Sequence, residues 1–124
     1  MLDLDCEVQG SLDPLFRLAR EGCAVARDPH DIDRAKDAVQ SGVVACSHGH
    51  PLPPAWAAAV LPGWRAMHSD QTALNEVIGG FRNAVQIMPR EYHWLRLDGV
   101  NPPALIMQWT GPDGKAAIRN RMDG

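Results

Sequence analysis

Short apolar segments, separated at close intervals by proline and glycine, constrain this chain more than any other feature of its sequence. The 124 residues contain ten prolines and eleven glycines, which tend to begin or end helices and strands. The apolar runs at 23–26, 42–46, 84–88 and 104–109 have the length of strands. Helix-like segments lie between several of these runs. The alternation predicts an α/β layer fold, and the shorter connections predict a mixed sheet.

Three helices are predicted from their end signals. The first is expected to be capped by Asp13, with a proline at its first position. The second is expected to stop at Pro62-Gly63. The third is expected to be capped by Ser69 or Asp70. Its apolar residues recur with helical spacing at Leu74, Val77, Ile78 and Phe81.

Length and charge set limits on the class of protein. A chain of 124 residues fits a single domain over 1–124, with one ordinary core. The formal net charge is -3 and no basic stripe is present, which argues against nucleic-acid binding. No apolar run has the roughly 18 residues that a membrane helix needs. The acidic N-terminus is unlike a secretory signal, so a cytoplasmic location is expected.

The three cysteines are odd in number and widely spaced. Cys6, Cys23 and Cys46 match neither a disulfide framework nor a Cys-x-x-Cys zinc pattern, so buried free thiols are predicted. Cys46, His48 and His50 alternate along one segment, and side chains two residues apart share a face of an extended chain. These are zinc ligands by type. Because no second Cys/His pair stands out, a polar loop is the favoured interpretation.

Two carboxylates near the N-terminus carry the clearest chemical pattern. Residues 2–8 alternate apolar and polar side chains, which predicts a strand with Asp3 and Asp5 on one face. Two adjacent carboxylates repel each other unless a cation lies between them, and hard oxygen ligands suit Mg²⁺ or Mn²⁺. The alternative is a pair of acids on the solvent face of a strand. The spacing by itself favours this alternative.

Four segments in order resemble the GT-A fold nucleotide-sugar glycosyltransferases of the glycogenin and bacterial galactosyltransferase type. The first is 2–16, with the Asp-x-Asp and a following Leu-Asp-Pro-Leu helix start. The second is Gln40-Ser41-Gly42-Val43, similar to the family's Asn-Ser-Gly-Val. The third, 69–75, is similar to its Asp-Gln-x-x-Leu-Asn helix start. The fourth, 108–115, is similar to its terminal His-x-x-Gly-x-x-Lys.

The resemblance implies a fold, an activity and a set of site residues. The fold is a GT-A-like mixed sheet with flanking helices, and the activity is sugar transfer from a nucleotide-sugar donor to an unidentified acceptor. The implied cofactor is Mn²⁺ or Mg²⁺, held by Asp3, Asp5 and Gln108. The implied catalytic residues are Asp70 and Gln71. The implied substrate-binding residues are Gln40, Ser41, Gly42, Gly111 and Lys115.

Three departures from the family pattern keep other interpretations open. The family has a nucleotide-binding α/β unit ahead of the Asp-x-Asp, whereas this sequence begins at the strand that carries it. Gln108 stands where the family has a histidine ligand, and Gln40 stands for its asparagine. A non-catalytic remnant or interaction module of the same fold is the alternative function. A partner chain or a second copy that supplies the N-terminal unit is a further expectation.

Overall fold

A computed structural model describes residues 1–30, 38–63, 69–99 and 103–124. The strands in this part of the chain are Cys6–Val8 (β1), Cys23–Arg27 (β2), Val39–Cys46 (β3), Val85–Ile87 (β4), Trp94–Leu95 (β5) and Ile106–Gln108 (β6). The α-helices are Asp13–Arg20 (α1), Leu52–Gly63 (α2), Asp70–Val77 (α3) and Gly111–Asp123 (α4). Short 3₁₀ segments cover Ile78–Ala84, Arg90–Tyr92 and Arg96–Asp98. No helix in these ranges is long and apolar enough to cross a bilayer.

The strands form two three-stranded sheets, each with parallel and antiparallel pairs. One sheet has the order β3-β2-β4 and the other has the order β1-β6-β5. In the first, β2 pairs antiparallel with β3 and parallel with β4. In the second, β6 pairs antiparallel with β1 and parallel with β5. The prediction of an α/β fold with mixed pairing is therefore confirmed, although the strands divide between two sheets.

The predicted continuous strand over residues 2–8 is wrong in one respect. Leu2 forms an isolated bridge with Val43 of β3, and the Asp3 amide donates to the Gly42 carbonyl at 2.9 Å. The chain then turns, with the Cys6 amide donating to the Asp3 carbonyl at 3.1 Å, before β1 joins the other sheet. The bend follows from pairing with two different sheets. It leaves Leu4 fully exposed and the two aspartates half-buried.

The core lies on both faces of the β3-β2-β4 sheet. Cys23 and Val25 face a cluster that also contains Leu52 and Leu74 of the helices α2 and α3. The alternate residues Ala24 and Ala26 face a second cluster with α1 and the other sheet. A strand that is buried on both faces reads as a continuous apolar run, as 23–26 does.

The helix ends agree with the sequence only in part. Ser69 caps α3, because its Oγ accepts from the Thr72 amide at 3.0 Å. Leu12 occupies the cap position of α1, so the prediction of Asp13 as the cap is wrong and Asp13 is the first helical residue. Pro62 and Gly63 lie inside α2 as it is described, rather than beyond its end. Residues 64–68, which follow, lie outside the described ranges.

The largest difference from the sequence-based expectation is at the C-terminus. The segment Thr-Gly-Pro-Asp-Gly after β6 has the composition of a turn, yet α4 begins at Gly111. Pro112 lies in the first turn of this helix, where its missing amide hydrogen costs nothing. Gly114 is required by packing, because a Cβ there would lie 2.6 Å from Arg96 Nε and closer still to the Trp109 carbonyl.

Candidate functional site

A polar cavity of about 510 Å³ lies where the chain passes from one sheet to the other. Five separated parts of the sequence contribute to it: the N-terminus, the β2–β3 region, the start of α3, the segment 95–97 and the end of β6. Its lining includes six of the predicted site residues: Asp3, Gln40, Ser41, Asp70, Gln71 and Gln108. The sequence indicated these residues only through the family resemblance. In the structure they line the same cavity.

Asp3, Asp5 and Gln108 form one hydrogen-bonded cluster at the edge of this cavity. Gln108 Nε2 donates to Asp3 Oδ2 at 2.9 Å and to Asp5 Oδ1 at 3.1 Å. The two carboxylates therefore converge on a single donor. Because ionised carboxylates only accept hydrogen bonds, the amide presents its nitrogen to them, and its oxygen points away. The predicted metal ligands Asp3, Asp5 and Gln108 are therefore in direct contact with one another.

His93 holds the other end of the Gln108 amide. His93 Nε2 lies 2.5 Å from Gln108 Oε1, and both side chains are buried. Burial lowers the pKa of His93 more than its hydrogen bond to Gln108 and the nearby acids raise it, so the ring is held neutral. Gly42 on β3 leaves the space for this pair. A Cβ on Gly42 would lie 2.7 Å from His93 Nε2 and closer still to Gln108 Oε1.

Two groups at this acidic cluster, the Asp3 carboxyl and the Cys6 thiol, have raised pKa values. Burial raises the pKa of Asp3, and the charges of Asp70 and Asp5 raise it further, against a smaller opposing effect of the Gln108 hydrogen bond. The pKa of the neighbouring Cys6 thiol is raised to about 12 by burial and by Asp3 and Asp5. Cys6 therefore stays a thiol at neutral pH and cannot act as a thiolate nucleophile.

Asp70 and Gln71 join the cavity to β2 and β3 through a polar network. Asp70 Oδ1 accepts from the Gln71 amide at 2.8 Å and from Ser41 Oγ at 3.4 Å. Gln71 Nε2 donates to Asp28 Oδ2 at 3.0 Å. Because Ser69 caps the helix, the Asp70 carboxylate is exposed and open to a ligand.

Asn75 fixes the start of α3 against β3. Its Oδ1 accepts from the Val39 amide at 2.8 Å and its Nδ2 donates to the Val39 carbonyl at 2.8 Å. Nδ2 also donates to the Gln71 carbonyl at 2.9 Å. The side chain acts like a strand partner for β3 and sets the position of the helix turn that carries Gln71.

Several residues of the cavity wall were not predicted as site residues from the sequence. Asp28 and His30 follow β2, Leu95 ends β5 and Leu97 follows it, and Thr110 follows β6. His30 pairs with Asp98 at 3.0 Å. The available signal was the position of Asp28-Pro29-His30 directly after a buried strand, because loops at strand ends commonly carry function.

Arg96 adds a cation beside this wall. Its Nε donates to the Thr110 carbonyl at 2.6 Å, and one of its Nη atoms lies 3.4 Å from where a Cβ of Gly111 would be. Gly111 begins α4 with a φ of +78°, a conformation that favours glycine. Lys115 is exposed on α4 and is not among the residues that line the cavity.

A second cavity, here called the apolar groove, is slightly larger at about 550 Å³. It is lined mainly by apolar side chains, among them Val44, Trp56 and Val60, and it also touches Cys46 and Asp70. Although the apolar groove is the larger cavity, we do not assign it as the reactive site, because few of its lining residues have acid, base or metal-binding side chains. The polar cavity has the carboxylates and amides.

Comparisons with known proteins relate the chain to one class of fold. No family model matches the sequence, and no curated protein matches it. Its structure is similar to the galactosyltransferase LgtC in complex with donor and acceptor sugar analogues, with a TM-score of 0.57 and 19% identity, over 90% of this chain and 51% of that one. An active-site mutant of LgtC gives 0.58 and 17%, over 90% and 52%. The chain spans about half the length of these structures. The likeness shows a glycosyltransferase-like fold of the GT-A type.

Proposed function

We propose that this chain is a metal-dependent glycosyltransferase domain that takes a sugar from a nucleotide-sugar donor. One observation carries the proposal. Asp3, Ser41, Gln108 and the pair Asp70-Gln71 line one polar cavity, and Asp5 accepts a hydrogen bond from Gln108 at its edge, in a fold like that of a galactosyltransferase. The donor sugar, the nucleotide and the acceptor are not defined by these contacts.

Asp3 and Asp5 are the residues that would hold Mn²⁺ or Mg²⁺. Both carboxylates accept from Gln108 Nε2, so their oxygens lie close together. The pKa of Asp3 is raised first by burial and then by the charges of Asp70 and Asp5, which a cation would offset. Hard carboxylate oxygens with open positions for substrate phosphates suit both ions. Gln108 would join them through its oxygen once its amide has turned over. The bound ion would neutralise charge on the departing nucleoside diphosphate.

The chain's own groups would position the donor. Asp70 is exposed at the cavity and is oriented by the Ser41 hydroxyl and the Gln71 amide. Its carboxylate would accept hydrogen bonds from sugar hydroxyls. Gln71, held by Asp28 and by the Asn75 contact to its carbonyl, would lie beside the reacting carbon. Gln40 and Gly42 would complete the sugar side of the cavity.

Cationic groups near α4 would bind the diphosphate. Lys115 is proposed for this role, with Gly111 beside the diphosphate at the start of α4. Arg96 is added because its guanidinium lies at the start of the same helix. We further propose that the protein works in the cytoplasm.

A second candidate function is supported by the orientation of Gln108. Its amide nitrogen, and not its oxygen, faces both aspartates and donates a hydrogen bond to each. The same cavity would then serve a non-catalytic interaction module, which binds a partner or a carbohydrate with no requirement for metal.

Donor hydrolysis distinguishes the two candidates. The chain would be incubated with Mn²⁺ and a panel of UDP-sugars, and UDP release would be followed by chromatography. The enzyme interpretation predicts Mn²⁺-dependent release that Asp70→Asn abolishes, whereas Asp113→Asn, an exposed acid on α4, leaves it unchanged. Folded protein that releases no UDP from any donor would contradict the enzyme interpretation.

A further inference from the structure

Cys23 and Cys46, predicted as free thiols, are joined as a disulfide. The prediction is wrong for these two residues because sequence spacing does not reveal that β2 and β3 pair antiparallel with Cys23 opposite Cys46. Cys6 remains free. The grouping of Cys46, His48 and His50 suggested by the sequence is also altered. Cys46 and His50 lie close together, and the third member of their cluster is Cys23 of β2.

His50 lies beside this cysteine pair. One of its ring nitrogens and the two Sγ atoms all lie within 4.8 Å of one another. The loop that brings it there is anchored by the Ser47 amide, which donates to the Gly22 carbonyl at 2.8 Å. A turn follows, with Gly49 at a φ of +77° and the His50 amide donating to the Ser47 carbonyl at 3.1 Å.

Two of the three proposed ligand residues lie on strands, and the third lies just before a helix. Cys23 is fully buried in β2, Cys46 ends β3, and His50 stands two residues before Leu52, a fully buried residue that begins α2. Sites built on strands and helices hold their geometry better than sites on free loops. Cys46 is half-buried and is also one of the residues that line the apolar groove.

We infer that in the reduced chain Cys23, Cys46 and His50 form a binding site for one thiophilic divalent cation, with Zn²⁺ as the matching ion. Reduction transfers two electrons and two protons from an external dithiol to the disulfide, and the dithiol becomes a disulfide. Binding of Zn²⁺ then releases the two thiol protons. Two thiolates neutralise the dication, so the buried site carries no net charge. Two sulfurs and one nitrogen leave a fourth position for water.

The inference does not depend on the proposed glycosyl transfer. The two groups of ligands prefer different ions, because thiolate and imidazole favour Zn²⁺ whereas the Asp3–Asp5 carboxylates favour Mg²⁺ and Mn²⁺. Reducing conditions, which are those of cytosol, favour the dithiol form. His50 Nδ1 accepts from the Leu52 amide at 3.2 Å. Binding at either ring nitrogen requires this hydrogen bond to be exchanged, since a metal on Nε2 requires a proton on Nδ1.

Cobalt substitution tests the site directly. The chain would be reduced with a phosphine, freed of reductant under inert gas and titrated with Co²⁺ while its absorption is recorded. We expect a thiolate-to-cobalt charge-transfer band that saturates at one equivalent, is bleached by Zn²⁺ and is absent from the oxidised chain. The Leu52 amide resonance should shift in the same titration.

Matched variants assign the ligands. Loss of His50 as a direct ligand in His50→Ala should weaken binding at least about tenfold, whereas His48→Ala, in the same loop, should leave it unchanged. Cys46→Ser should abolish the band and Cys6→Ser should keep it. The histidine pair decides the matter if Cys46→Ser does not fold.

Three results would overturn the inference. They are reduced, folded chain with no band, equal effects of His48→Ala and His50→Ala, and loss of the band in Cys6→Ser. Circular dichroism establishes whether the reduced chain is folded. A reduced chain that stays unfolded with Zn²⁺ present would also overturn it, and folding driven by Zn²⁺ would support it.

Discussion

Replacement of Gly42 by alanine tests the arrangement at the centre of the site. The added Cβ would lie 2.9 Å from Gln108 Cδ and 2.7 Å from His93 Nε2. These distances are below ordinary van der Waals contact, so the Gln108 amide must move. Its bonds to His93, Asp3 and Asp5 would then be strained or lost.

The expected loss of stability follows from these contacts. Overpacking of a buried site costs about 1–3 kcal/mol, and hydrogen bonds to charged groups contribute about 1.5–3 kcal/mol each. Because Asp3 and Asp5 are half-buried and water can replace part of what is lost, we expect Gly42→Ala to reduce the free energy of unfolding by about 2–3 kcal/mol. For a chain of this size, that lowers the Tm by roughly 8–12 °C.

Urea titration followed by fluorescence is the assay, with Gly80→Ala as the control. A Cβ on Gly80 meets nothing within 4 Å, so this variant should be neutral or more stable by up to about 1 kcal/mol. Adding Gln108→Ala to Gly42→Ala should cost less than the sum of the two single changes, because the clash is removed. Equal midpoints for Gly42→Ala and Gly80→Ala would refute the reasoning.

Three further changes probe other contacts. Asn75→Ala leaves the Val39 amide and carbonyl without their partner and should cost about 2–3 kcal/mol in urea titration, whereas the exposed Glu76→Ala should stay within about 0.5 kcal/mol. The pKa of His93 is lowered in the folded state, so the unfolded state binds more protons below pH 6.5. As the pH is lowered below that value, the free energy of unfolding should decrease by up to about 1.4 kcal/mol per pH unit, and a slope that persists in His93→Gln would contradict this assignment. The pKa of Asp3 is raised in the folded state, so its ionised form opposes folding. Asp3→Asn should raise the Tm at pH 7 but not at pH 3, and no gain at pH 7 would argue against it.

The fold was largely predictable because its elements are locally encoded. The apolar run at 23–26 is buried on both faces as β2, and the stripe with Leu74 and Ile78 lies on buried positions of α3 and the 3₁₀ turn after it. The failures arose where tertiary contacts decide local structure. The bend at Leu4–Asp5 comes from pairing with two sheets. The helix α4 forms over a segment with turn composition, and its Gly114 is required by close packing against Trp109.

The candidate site could be predicted only as far as the resemblance extended. The resemblance named Asp3, Asp5 and Gln108, and these three side chains are hydrogen-bonded to one another through the Gln108 amide. It could not reveal that His93 holds the Gln108 amide or that Asp28 holds Gln71, because these partners lie in segments without a motif. Likewise, spacing alone could not pair Cys23 with Cys46, since cross-strand neighbours depend on register.

Calorimetry with a nucleotide sugar, with and without Mn²⁺, tests the central proposal most directly. A panel of UDP-sugars would be titrated into the chain and into the double variant Asp3→Asn, Asp5→Asn. We expect at least one donor to bind the unmodified chain, and chelation of Mn²⁺ to weaken this binding at least about tenfold. The double variant should show the weaker binding in both conditions. Binding of equal strength in all four experiments, or no binding at millimolar donor by folded protein, would contradict it.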